Sequence, residues 1–120
     1  MAVVGTHITI GKPITLGAAD EFTPVAEVAG GPGLVDVCIQ FDGSWSGTLR
    51  FDRAFKVDGT WVYDPILATN LISAATATST TGGASATETW RVDASGGGIR
   101  VYASVYAAGE ADVTFKVSEG

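Results

Sequence analysis

A chain of 120 residues can bury a single core, and its 13 acidic against 7 basic side chains leave a formal charge of −6. That balance disfavours nucleic acid, whose phosphates need clustered Lys and Arg. The single cysteine, Cys38, rules out an internal disulfide and a cysteine metal cluster. No apolar run approaches the ~20 residues of a membrane-spanning helix, so no membrane partner is expected. Residues 1–6 lack the basic and apolar regions of a secretory signal, so synthesis in a host cytoplasm is expected.

Residues 1–33 are a leader of short β-prone pieces. Thr6, His7, Ile8, Thr9 and Ile10 alternate, Gly11 and Pro13 interrupt them, and Ile14, Thr15 and Leu16 resume. Pro13 has no amide to give to a ladder, which suits an edge strand or an extended arm. A weak apolar run from Phe22 to Val28 is broken by Pro24, and Gly30-Gly31-Pro32-Gly33 punctuates the end. Two readings fit: an intersubunit arm, or the first strands of the same sandwich. In the arm reading Ile8, Ile10, Ile14 and Leu16 make apolar contacts with a partner, and removing residues 1–16 leaves a folded chain that no longer attaches. The expected organisation is residues 1–33 as arm or edge strands and residues 34–120 as the sandwich domain.

The patterning is strongest from 34 to 64. Val35, Val37, Ile39 and Phe41 share one parity, and Asp36, Cys38, Gln40 and Asp42 share the other, which gives a strand with one apolar face. Gly43 and Gly47 bracket Ser44-Trp45-Ser46, a break. Leu49 and Phe51 then alternate with Thr48, Arg50 and Asp52. Asp58-Gly59 is a hairpin signal leading into a further run at Thr60-Trp61-Val62-Tyr63, which Pro65 ends. Ile66, Leu67, Leu71 and Ile72 are expected to be apolar anchors. Residues 73–89 are small and nearly uncharged, and Thr76, Thr78 and Thr80 alternate with Ala75, Ala77 and Ser79. In the last third Trp90 and Val92 face one way, and Ile99, Val101, Ala103 and Val105 alternate after a Gly-rich loop. Val113, Phe115 and Val117 follow a turn at Gly109. Amphipathic strands around short loops predict antiparallel hairpins. The expected fold is an all-β, single-domain antiparallel β-sandwich, jelly-roll-like, with Val37, Ile39, Phe51, Val101, Val105 and Phe115 buried.

Five stretches carry a resemblance. They are Gly43 with Gly47-Thr48-Leu49 and Phe51; Asp58-Gly59-Thr60-Trp61; Thr89-Trp90-Arg91-Val92-Asp93 with Ser95-Gly96; Ile99-Arg100-Val101; and Ala111-Asp112-Val113-Thr114. Together they resemble a group of small bacteriophage virion structural proteins, β-sandwiches of the capsid-decoration kind. The likeness spans residues 35–118, and where the usual pattern has a Ser before the Asp-Gly this chain has Phe55-Lys56-Val57 instead. It implies a virion structural role and does not by itself choose between head and tail; the first expectation is a decoration or cement protein that binds and stabilises the assembled head. The implied partners are the major capsid protein or another virion protein, and further copies of the chain as a homo-oligomer. The alternative it implies is a tail, fibre or baseplate module that recognises host-surface carbohydrate.

Little in the chain suggests chemistry, and neither catalysis, a cofactor nor a metal is expected. His7 is the only histidine, and no Gly-x-Ser-x-Gly elbow accompanies it. A metal site from His7, Asp36 and Asp42 requires a fold that gathers them, and Asp58-Gly59 lacks the acidic ladder of a calcium loop. Gly96-Gly97-Gly98 is followed by no Lys-Ser/Thr pair. Asp20, Glu21 or Glu27 could pair with Asp52 or Asp64 for glycoside hydrolysis only at a suitable separation. Trp61 and Trp90 are expected in the core. Trp45, in its Gly-flanked turn, either packs locally or stands exposed to stack on a sugar or dock on a protein.

Overall fold

The computed structural model describes residues 2–5, 14–29, 33–94 and 97–117. In chain order its strands are β1 (Ala2–Gly5), β2 (Ile14–Leu16), β3 (Ala26–Ala29), β4 (Leu34–Phe41), β5 (Ser46–Val57), β6 (Thr60–Pro65), β7 (Ala68–Asn70), β8 (Thr76–Ala77), β9 (Ser79–Thr80), β10 (Thr87–Asp93), β11 (Gly98–Ala108) and β12 (Ala111–Val117). Sheet A runs β1-β3-β11-β5-β6, with β9 also on β5, and sheet B runs β2-β12-β4-β10-β7-β8. All pairings are antiparallel. The antiparallel β-sandwich expected from the alternation is the observed fold.

Period-2 patterning makes the core. Val35, Val37 and Ile39 of β4 lie between Trp90 and Val92 of β10 and Val113 and Phe115 of β12, all at most 5% exposed. Leu49 and Phe51 of β5 and Ile99, Val101 and Ala103 of β11 line the inner face of sheet A. The Phe51 and Trp90 rings meet at 5.2 Å, joining strands of opposite sheets. Asp58 and Gly59, at φ of 51° and 81°, turn the β5–β6 hairpin, with Val57 opposite Thr60. Two successive positive-φ residues are what a two-residue turn between right-twisted strands requires.

Several expectations are corrected. The strands around residues 95–98 and Gly109 are not hairpins. β10 and β12 lie in sheet B and β11 in sheet A, so the chain crosses the sandwich at each corner. A short Gly-rich loop serves an inter-sheet corner as well as a hairpin. Val105 is 57% exposed because the β5–β11 register shifts between Ala103 and Val105, and an extra residue reverses the parity beyond it. Leu67, Leu71 and Ile72 are exposed, and of that group Ile66 packs on the core. Asn70 Oδ1 accepts from Ile72 N and Ser73 N, a tight turn that directs Ile72 outward.

The described strands of the leader, β1, β2 and β3, are built into the sandwich. β2 pairs with β12, and Leu16 is 1% exposed in the core beside Ala111. Val25 and Ala26 are buried, and Ala26 sits opposite Ile99. Leu16 is therefore a packing residue rather than a partner contact, and Ile14 is partly buried against the same core. Ile8 and Ile10 lie outside the described residues, as does His7.

Candidate functional site

Outer-facing residues of sheet A come together through register. On β5 the inward Leu49 and Phe51 leave Arg50 and Asp52 on the outer face, and on β11 the inward Ile99, Val101 and Ala103 leave Arg100 and Tyr102 there. The ladder sets Arg100 opposite Asp52 and Tyr102 opposite Arg50. β6 adds Trp61 opposite Lys56 and Tyr63 opposite Ala54, so Trp61, expected in the core, instead stands half-buried on this outer face. The stretch before β3 lies along β11: Thr23 N donates to Val101 O at 2.9 Å and Ala103 N to Glu21 O at 2.8 Å. Phe22 thereby bridges to Tyr102, their ring centroids 6.4 Å apart.

Asp52 is wholly buried and holds two guanidinium groups. Arg50 Nε donates to Oδ1 at 2.6 Å and Arg50 Nη2 to Oδ2 at 3.0 Å, and Arg100 Nε also donates to Oδ2 at 3.0 Å. This hydrogen bonding, reinforced by the Asp52 charge and opposed by partial burial, raises the Arg50 pKa above its ordinary range. The Arg100 guanidinium carbon lies 3.5 Å from the centre of the Tyr63 ring, 4.7 Å from that of Phe22 and 5.1 Å from that of Tyr102. Arg50 sits over Tyr102 at 4.8 Å and Lys56 over Trp61 at 5.0 Å. Tyr102 Oη donates to Asp20 Oδ1 at 2.6 Å, and that bond is the main reason its pKa is raised. The result is a surface of aromatic rings interleaved with cations, its Phe22 more than half exposed.

The residues singled out from sequence lie elsewhere. Trp45 is 5% exposed, so its contact role is corrected to packing: its ring meets Phe41 at 5.2 Å and Tyr106 at 6.1 Å, and Nε1 donates to Thr81 O at 3.0 Å. Cys38 stands half-buried on the outer face of sheet B between Thr89 and Thr114. Asp36 pairs with Arg91 on that face, and Asp42 lies just past the end of β4, six residues on and about 20 Å along an extended chain. The fold does not gather them, and no trio of metal-ligating side chains occurs among the described residues. Asp42 instead ties loops together: Oδ1 accepts from Ser44 N and Oδ2 from Glu110 N, both at 3.0 Å. It lines an open cleft of about 350 Å³ with Glu110 and Asp112, where Asp112 accepts from Thr15 at 2.6 Å. Of the carboxylates considered for glycoside hydrolysis, Asp20 and Asp52 carry the partners described and Glu21 accepts from Gly17 N at 2.6 Å. Alternation reveals the parity of Arg50, Asp52, Arg100 and Tyr102. It carries no signal for the cross-strand register that assembles them.

No protein-family profile and no curated protein sequence matches the chain. Among solved structures, the crystal structure of the SPBc2 prophage-derived protein YomS is similar, with a TM-score of 0.50 and 18% sequence identity, covering 91% of this chain and 96% of that one. At that identity the likeness is one of fold.

Proposed function

We propose that the chain is a bacteriophage virion structural protein, a decoration protein that binds the assembled head and attaches through the outer face of sheet A. The observation that carries this reading is the aromatic and cationic surface around Arg100. Tyr, Trp and Arg are the residues that dominate protein–protein contacts, and here they stand on paired strands of a rigid sheet. The fold likeness to a prophage-derived protein supports a phage origin. The strand order β2-β12-β4-β10 facing β3-β11-β5-β6, which we read as a jelly roll, is compatible with that reading. A ligand with higher affinity for the assembled shell than for its free subunits stabilises the shell by mass action, without catalysis. Attachment as a homo-oligomer would multiply modest contacts by avidity.

The carbohydrate-binding alternative drew on an exposed Trp45, and that side chain is in the core. Quantitative mass spectrometry of purified particles tests the proposal. Copies on the order of hundreds are expected for a head lattice. A handful of copies places the chain in the tail, and none overturns the virion reading.

A further inference from the structure

The buried charge at the centre of this face is incompletely partnered. Arg100 is 9% exposed, and only its Nε has a hydrogen-bond acceptor, the Asp52 oxygen that Arg50 also uses. Among the described residues nothing accepts from Nη1 or Nη2, so four of the five guanidinium donors face rings or the surface. Aromatic faces attract a cation but replace hydrogen-bond acceptors poorly. Around it, Arg50, Lys56 and Arg100 share the outer face with Asp20, Asp52 and Glu27, three charges of each sign on a chain of net −6. Phe22 is the most exposed of the three rings on Arg100 and borders the solvent.

We propose that this face binds an acidic peptide segment, with one Asp or Glu carboxylate seated on Nη1 and Nη2 of Arg100 beside Phe22 and Tyr63. A planar carboxylate matches the two parallel donors of a guanidinium fork, and the surrounding rings supply contact for the segment's apolar side chains. The inference rests on reading the outer face of sheet A as an attachment surface. The two fail separately, since particle copy number tests location and peptide binding tests chemistry.

The test is fluorescence anisotropy of the full chain with a labelled peptide of alternating Glu and Leu and with its Gln-for-Glu counterpart. The Glu peptide is expected to bind at least about tenfold more tightly. The double variant Asp52→Asn with Arg100→Met removes the buried pair together and leaves only Arg50, about a third exposed to water, without its carboxylate. It is expected to weaken binding about tenfold, whereas Lys116→Gln, on the opposite sheet, leaves it unchanged. If the double variant does not fold, Phe22→Ala is read instead and is expected to weaken binding several-fold. Equal binding of the two peptides, no binding, or equal weakening by Lys116→Gln would overturn the proposal. So would unchanged binding by Phe22→Ala, or preference for an oligothymidine strand.

Discussion

At the scale of single residues, the outer face of sheet A turns on who holds which proton. Tyr102 donates to Asp20 at 2.6 Å, and losing that proton would set two anions together, with Arg50 and Arg100 nearby as partial relief. Its folded pKa is therefore raised above the ordinary value near 10. A raised pKa stabilises the fold fully below the unfolded value, and that contribution is lost as pH rises through the folded one. Denaturant unfolding followed above pH 10 should show stability falling in the native chain, and this component of the fall should vanish in Tyr102→Phe. An identical pH profile for both chains would remove the hydrogen bond from the account. Gly109 shows another kind of residue constraint: at φ +84° it lies where a Cβ would come within 2.6 Å of Trp45 N and of Asp42 Oδ1.

At the scale of elements, β11 shows how one extra residue redirects a strand. Ile99, Val101 and Ala103 obey the period and are buried, and after the register shift Val105 is exposed while Tyr106 packs on the core. Tyr106 then spans the corner, donating to Gly109 O at 2.9 Å and meeting the Trp45 ring edge-on. The bulge thus serves the corner that carries the chain from sheet A to sheet B. Ile99→Ala should destabilise by about 2–5 kcal/mol, the cost of a cavity in a packed core. Val105→Ser should stay within about 0.5 kcal/mol, as an exposed change does. Chemical denaturation of both variants checks this, and equal costs would mean the bulge does not turn Val105 outward.

For the whole molecule, closure of the sandwich depends on the leader. β2 borders sheet B through β12, β3 borders β11 in sheet A, and Leu16 fills the core. Burying a leucine side chain is worth roughly 1.5–3 kcal/mol, a large share of the ~5–15 kcal/mol that holds a domain together. Deleting residues 1–16 should therefore lower the thermal midpoint strongly or abolish cooperative unfolding. A truncated chain that melts as the native one does would return the leader to the role of a free arm. The middle of the chain performs a similar closure. After β6 it crosses to sheet B as β7 and β8 and returns to β5 as β9, with Phe51 N donating to Thr78 O at 2.9 Å where it changes sheets.

The alternation at 34–42 and 112–117 by itself determined the strands, their buried faces and the all-β class, because side chains on a pleated backbone change face every residue whatever lies opposite. Asp58-Gly59 likewise determined its hairpin, because two positive-φ residues suffice locally for that turn. Only the tertiary structure decided which strands are neighbours. A short Gly-containing sequence between β10 and β11, or between β11 and β12, is equally compatible with a hairpin and with an inter-sheet corner, and long-range packing chooses between them. It also decided that Trp45 and Leu16 are core, since burial depends on what folds over a turn or an edge. The candidate site belongs to this second class. Arg100 meets Asp52, 48 residues away in the chain, only because β11 and β5 pair in one register, and a slip of one residue would turn the two side chains to opposite faces.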